Sequence, residues 1–285
     1  MADIAFQDKF IGFVDILGFK KLVQAAEAGT GLTLVELQKR LDLLGSPKDE
    51  ETFKKQGPAM CPCSTYVQRD LNFRLTRVSD CVVVSAEVSP AGVVNLVSHC
   101  WTAVLELLGT GLMCRGYITR GKIYHEGTEV IGSGYQEAQT KESGVSAFKR
   151  DANELGTPFV EVDRTVTEYV RDHGDGCVKE MFSRQIQSDG VVTAIFPFKR
   201  LAHRFLVRPD LDPAKEKRAN ENVRRRLQEF KLRVSATVDR TNARAVSKME
   251  HYIAALDAQL EICAKTDEFI DKLNTLIPRN RPELK

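Results

Sequence analysis

The sequence predicts an α+β fold: a ferredoxin-like antiparallel sheet with helices on one face, plus a C-terminal helical extension. Three observations predict it. Short apolar runs rich in β-branched and aromatic residues, bounded by turn formers, alternate with amphipathic stretches. From residue 10 to about residue 124 their order is strand, helix, strand, strand, helix, strand, the split βαβ order. After Pro209 and Pro213 the pattern becomes long and helical, which separates residues 1–210 from residues 211–285.

The first strand covers about 10–16. Residues 19–28 and 33–45 read as helices, with Leu34, Leu37, Leu41 and Leu44 recurring at helical spacing. Residues 46–66 are polar and read as a loop containing Pro47, Gly57, Pro58 and Pro62. Strands at about 71–78 and 80–88 follow, joined by a tight turn. Ser89-Pro90, a cap followed by proline at the first helical position, opens a helix over 90–109. Its apolar face is Val93, Val94, Val97, Trp101, Val104, Leu105 and Leu108. A strand pair at about 112–124 and 128–131 precedes a short helix at about 134–147, and residues 157–206 alternate short strands and a helix. In the tail, about 214–277, Val246, Met249, Ile253, Leu256, Leu260 and Cys263 form a helical-hairpin or short coiled-coil seam. The basic stretch Lys215, Lys217, Arg218 and Arg224 to Arg226 reads as a solvated helix face in preference to a phosphate-binding patch. The sheet face without helices needs a cover, often a second copy of the chain.

Composition excludes some classes of function. With 42% apolar and 28% charged residues among 285, the chain is an ordinary globular one. Its net charge of +2, from 41 basic and 39 acidic residues, gives no case for nucleic acid or a membrane surface. No apolar stretch approaches the ~18 residues of a membrane span. The N-terminus lacks a signal-peptide layout, so a cytoplasmic protein is the simplest expectation. Seven cysteines, an odd number mostly in apolar contexts, fit a reducing compartment. Cys61-Pro-Cys63 is the one close pair, and no second pair at zinc-finger spacing follows it. No pair among the five histidines has metal-ligand spacing on one helix, and G-x-S-x-G and Walker A motifs are absent. His125, before Glu126-Gly127, reads as a turn residue.

Two aspartates interrupt apolar strands. Asp15 lies in Phe10-Ile-Gly-Phe-Val-Asp-Ile-Leu-Gly-Phe19, and Asp80 in Leu75-Thr-Arg-Val-Ser-Asp-Cys-Val-Val-Val84. A carboxylate inside a buried strand is costly unless a cation or strong donors compensate it. Two of them suit hard divalent ions, Mg²⁺ or Mn²⁺, which usually arrive with phosphates. The alternative is structural: a turn cap, or a buried pair with Arg74, Arg77 or Arg115.

On these residues the chain resembles the class III nucleotide cyclases. Phe13-Val-Asp-Ile-Leu-Gly-Phe19 resembles their first metal motif, and Val78-Ser-Asp-Cys81 the second, where the family usually has Gly at the place of Ser79. The resemblance implies that Asp15, Asp80 and the Ile16 carbonyl bind two divalent cations, Mn²⁺ or Mg²⁺. It also implies that the turn at Gly18 and Phe19 cradles a triphosphate with backbone N–H groups, which a glycine turn opening a helix is suited to do. Cys114-Arg-Gly-Tyr-Ile-Thr-Arg-Gly121 resembles the family's strand that carries an Arg and ends in Gly. The family's helix bearing an Asn and, four residues on, a transition-state Arg corresponds to Gly132-Ser-Gly-Tyr-Gln-Glu-Ala-Gln-Thr140. There Gln136 stands for the Asn and Thr140 for the Arg, with Lys141 as the nearest cation. Thr140 departs from the pattern, since a hydroxyl carries no positive charge. The base-reading positions are Thr76 and Glu129, which fit neither the adenine nor the guanine set.

The "DILGF"-like motif and Gly132-Ser-Gly-Tyr-Gln-Glu-Ala-Gln-Thr-Lys-Glu142 resemble the pyrimidine cyclases of the Pycsar antiphage system over about residues 8–200. This resemblance implies conversion of UTP, or CTP, to the 3′,5′-cyclic monophosphate and pyrophosphate. It further implies a head-to-tail homodimer with sites at the interface and a separate cyclic-nucleotide effector. A non-catalytic cyclase-fold module, a purine cyclase and a scaffold organised by the tail are the alternatives. The departure at Thr140 favours the module, and retention of both aspartates favours the enzyme.

Overall fold

The computed structural model describes residues 4–56, 61–66, 68, 70–198 and 212–276. In chain order the first elements are β1 (Gln7–Ile16), α1 (Phe19–Glu27), α2 (Leu34–Asp42), α3 (Pro47–Gln56), β2 (Phe73–Val78) and β3 (Cys81–Glu87). Next come α4 (Pro90–Leu108), β4 (Cys114–Glu126), β5 (Glu129–Ile131), α5 (Ser133–Glu142) and β6 (Val160–Val162). The last are α6 (Arg164–His173), α7 (Gly176–Gln185), β7 (Ile186–Ser188), β8 (Thr193–Ile195), α8 (Pro213–Thr237) and α9 (Ala243–Leu276).

The sheet order is β2-β3-β1-β4-β6-β8-β7, with β5 paired to the far end of β4. Its first four strands are mutually antiparallel, as the split βαβ pattern requires; β6 alone joins in parallel, on β4. The α+β fold class is therefore observed. Strand periodicity sorts β1 into two faces. Phe10, Val14 and Ile16 enter the main core under α4, while Ile11 and Phe13 face the other way, toward Ala138 of α5. Gly12 lets α4 approach closely, because a Cβ there would meet the Cys100 sulfur at 3.1 Å.

The second face has its own cover within this chain. Helix α5 seats on β1 and β4 through glycines: a Cβ on Gly121 would lie 2.8 Å from the Gly134 Cα. Beyond α5, the hairpin of α8 and α9 lays Phe230, Val234, Met249 and Tyr252 against Met113, Tyr117 and Phe159. Asp212 caps α8 by accepting from the N–H groups of Ala214 and Lys215. The seam residues Met249, Leu256 and Cys263 are buried as expected, and the basic stretch behaves as a surface face, with Arg224 on Asp267 and Lys217 on Asp271.

Several expectations need correction. Residues 46–66 are not all loop: α3 occupies Pro47–Gln56. Its start carries the signature of a capped helix, since the Asp49 carboxylate accepts from the Ser46 N–H at 2.6 Å and Pro47 takes the first helical position. Polarity misled because α3 has a weakly apolar face. The helix expected over 134–147 ends at Glu142, just before Ser143-Gly144. Among the described residues of 157–206 there are two helices, α6 and α7, split by Gly174 and by Asp175, which caps α7. His125 is no turn residue but a buried member of β4. Gly57, Pro58, Pro209, the 210/211 boundary and residues 199–206 lie outside the described residues.

Candidate active site

Asp15 is the penultimate residue of β1 and shares the face of Ile11 and Phe13. In the ladders it stands opposite Cys81 on one side and Arg115 on the other. Asp80 is not inside a strand. It is the second residue of the two-residue turn Ser79-Asp80 between β2 and β3, and the Ile16 N–H donates to its carbonyl at 3.1 Å. That bond holds the turn against the end of β1, so both aspartates meet at one half-buried corner of the sheet.

The corner is electrostatically unbalanced. Burial, then the negative charges of Asp80 and Glu142, push the Asp15 carboxyl up to about 7. Burial and the same two aspartates push the Cys81 thiol up to about 11. The three arginines that could have neutralised the pair are used elsewhere. Arg74 holds Glu126 at 3.0 Å, Arg77 holds Asp42 at 2.6 Å, and Arg115 donates to Glu142. Among the described residues, neither aspartate has an ion-pair partner within contact distance or accepts a side-chain hydrogen bond. Neither a turn cap nor an arginine pair, the structural alternatives, is therefore present at the two aspartates among the described residues.

Two neighbouring carboxylates beside a backbone carbonyl suit a hard divalent cation whose other ligands are phosphate and water. Among the described residues no group of three or more His, Cys, Asp or Glu side chains is arranged to hold a metal. The candidate set is accordingly Asp15, Asp80 and the Ile16 carbonyl, completed by an incoming ligand.

Gly18 follows with φ of +79°, a left-handed conformation that glycine adopts without cost, and it forms the N-cap of α1. No side chain caps this helix end and no acidic residue lies in its first turn; the Lys21 N–H donates to the Gly18 carbonyl at 3.0 Å, which leaves the N–H groups of Phe19 and Lys20 to face an anion. Phe19 is buried in the main core and fixes the turn.

The remaining expected site residues are spread. Thr76 is buried in a relay across the second face. Its hydroxyl donates to the Gly127 carbonyl at 2.7 Å, so its oxygen accepts from His125 Nε2–H at 2.9 Å. His125 Nδ1 then accepts from the Ser85 hydroxyl at 2.8 Å. Every polar atom of the relay is used. Glu129 and Gln136 are exposed, on β5 and α5. Thr140 turns its hydroxyl onto the Gln136 carbonyl of its own helix at 2.7 Å. Lys141 pairs with Glu137 at 2.8 Å and Asp163 at 3.2 Å, over the Tyr117 ring. The structure thus joins Asp15, Ile16, Asp80, Gly18 and Phe19 at one corner and leaves Thr76, Glu129, Gln136 and Lys141 apart from it.

Sequence reasoning missed two groups. The Arg115–Glu142 pair sits beside Asp15. Lys248 of α9 is half-buried with its charge facing Asp15, Glu142 and Arg115. The one available signal was a lysine inside the apolar seam, between Val246 and Met249.

No protein-family model matches this chain, and no curated protein matches it. Among solved structures it is similar to the crystal structure of the catalytic core of a rhodopsin-guanylyl cyclase with converted specificity in complex with ATPalphaS. The identity is 10%, the TM-score is 0.33, and the match covers 58% of this chain and 82% of that one.

Proposed function

We propose that the protein is a metal-dependent nucleotide cyclase that converts a pyrimidine nucleoside triphosphate, UTP in preference to CTP, to its 3′,5′-cyclic monophosphate and pyrophosphate. The observation that carries this reading is the pair Asp15 and Asp80, without an ion-pair partner in contact and held together by the Ile16–Asp80 backbone bond two residues before the uncapped helix N-terminus at Gly18.

In this reading Asp15, Asp80 and the Ile16 carbonyl hold Mn²⁺ or Mg²⁺ ions, which supply neutralising charge and a lowered pKa for the ribose 3′-hydroxyl. The chain's own work is positioning. The Gly18 turn receives the phosphates, and the rigid end of β1 sets the 3′-oxygen in line with the α-phosphorus. The 3′-oxygen forms a bond to that phosphorus, the bond to the β-phosphate oxygen breaks, pyrophosphate leaves and the hydroxyl proton passes to solvent. Glu129, Gln136 and Lys141 lie away from the carboxylates within one chain, so they serve a site only if a second copy presents them. A head-to-tail homodimer would form two such sites. A cyclic pyrimidine nucleotide is a signal, and the resemblance to antiphage cyclases supports a separate effector that senses it.

A second reading is a cyclase-fold module that binds nucleotide without turnover, favoured by Thr140, whose hydroxyl is satisfied on its own helix. The test is to offer UTP, CTP, ATP and GTP separately with Mn²⁺ and resolve products by mass, beside Asp15→Asn/Asp80→Asn. A cyclic pyrimidine monophosphate from the unmutated chain, lowered on the order of 10²–10³-fold or more in the variant, supports the proposal. A cyclic purine would overturn the base assignment, and product formed equally by the variant would overturn the site.

A further inference from the structure

A cavity of about 330 Å³ opens between the β1–α1 turn and the C-terminal hairpin. Leu17, Gly18, Lys20 and Lys21 form one wall, and Arg244 and Lys248 of α9 form the other. The size falls in the range of about 300–1,000 Å³ typical of small-molecule clefts. Its charge is lopsided: Lys20, Lys21, Arg244 and Lys248 face a single carboxylate, Asp239, which Lys21 already neutralises at 2.7 Å.

Arg244 and Lys248 are four residues apart on α9, so they point to the same side of the helix. Among the described residues, neither they nor Lys20 have an ion-pair partner within contact distance. Two of the six cations in the basic run of α8, Lys217 and Arg224, are by contrast bound to acidic groups of α9. Cations gathered in a concave wall repel one another unless an anion joins them. Lys248 also lies within electrostatic reach of Asp15, which sets this cavity beside the carboxylate corner. The α9 cations are held in place by the α8–α9 connection: the Thr237 hydroxyl donates to the Gly111 carbonyl at 2.6 Å, and Asp239 is clasped by Lys21.

We infer that this cavity binds a polyphosphate, and that Arg244 and Lys248, with Lys20, hold the β- and γ-phosphates of the nucleoside triphosphate. The C-terminal hairpin is then a wall of the site and not an appendage. The identity of the nucleotide rests on the cyclase reading above; the polyphosphate site rests on the cavity itself. The chemistry is consistent along its length. The open N–H groups at Gly18 lie at one wall, the two tail cations at the other, and the carboxylate corner two residues before Leu17. Pyrophosphate released by turnover would occupy the same cations and compete with substrate.

The test uses the full chain and inorganic tripolyphosphate with Mg²⁺ as the probe, followed by calorimetry. Arg244→Gln/Lys248→Gln is compared with the unmutated chain and with Lys215→Gln/Arg218→Gln, which removes the same charge from the exposed face of α8. The double variant in the cavity is expected to weaken tripolyphosphate binding by at least about tenfold, as loss of two charge-assisted contacts should. The α8 variant should bind within about twofold of the unmutated chain. Arg244→Lys/Lys248→Arg, which keeps both charges, should restore most of the affinity and guards against a folding defect. Equal binding by the cavity variant and the unmutated chain overturns the inference, as does no binding by the unmutated chain. If no triphosphate is cyclised but the cavity variant alone loses tripolyphosphate, the cyclase reading fails and the polyphosphate site stands. If cyclic product forms with the same KM in the cavity variant, the cyclase stands and the inference falls.

Discussion

The Ile16 N–H bonds the Asp80 carbonyl at 3.1 Å, and through that single backbone contact the β2–β3 turn is closed onto the last residue of β1. The contact explains how two carboxylates 65 positions apart come to share one corner (80 − 15 = 65). The two-residue turn itself sets the backbone of Ser79, whose φ is +55°, since tight hairpin turns take positive φ at that place.

Ser79 therefore offers a direct handle on the corner. A non-glycine residue in the left-handed region costs roughly 1–2 kcal/mol, partly offset for glycine by its freer unfolded chain. Ser79→Gly is expected to raise stability by up to about 1 kcal/mol, and Ser79→Val, branched at Cβ, to lower it by more. Urea midpoints of the two variants check this; a midpoint lowered by glycine would contradict the turn geometry.

The His125 relay gives stability a pH dependence. Burial, then the charge of Lys9, push His125 down to about 4. An unfolded histidine titrates near 6.5, so between these values the unfolded chain binds more protons and stability rises with pH. On acidification the contribution is lost as pH falls through about 6.5 toward 4, amounting to roughly 2 kcal/mol by pH 5. His125→Gln should be less stable at pH 7.5, because Ser85 and Thr76 lose a partner, yet show a shallower loss between pH 6.5 and 5. Denaturation midpoints at three pH values decide it, and parallel slopes would contradict the buried neutral ring.

Tyr252 is the keystone of the hairpin's seat. It is 1% exposed and packs edge-on against Phe198, with ring centroids 4.9 Å apart, and against Phe159 at 5.7 Å. Tyr252→Ala is expected to cost about 3–5 kcal/mol, the range for large aromatic truncations in cores. Leu232, exposed on α8, serves as the comparison, and Leu232→Ala should change stability by less than about 0.5 kcal/mol. Equal effects from the two substitutions would mean that the hairpin does not depend on this contact.

The sheet was legible because its strands carry period-two patterns and its turns carry glycine, serine and proline. Ser89-Pro90 announced α4, and the same grammar at Ser46-Pro47 went unread because the residues that follow it are mostly charged and polar. Asp15 and the Gly18 turn were legible as charge and glycine out of place. Asp80 was legible as a residue near the tight turn, and the β2–β3 register, with Val78 opposite Cys81, sets it inside that turn. His125, Thr76 and Ser85 lie on β4, β2 and β3, and only sheet register brings them together. Lys248 was hidden for the same reason: its meeting with Asp15 depends on how α9 docks against β4, which no local pattern encodes.

In the proposed reading, Asp15 and Asp80 hold two divalent cations when a nucleotide arrives. Mn²⁺ titration followed by electron paramagnetic resonance reads it without turnover, because free Mn²⁺ is seen and bound Mn²⁺ is not. With a non-reacting uridine triphosphate analogue present, the unmutated chain should withdraw Mn²⁺ well beyond what the analogue alone removes, and Asp15→Asn/Asp80→Asn should not. Equal withdrawal by the two chains, or none by either, would contradict the account.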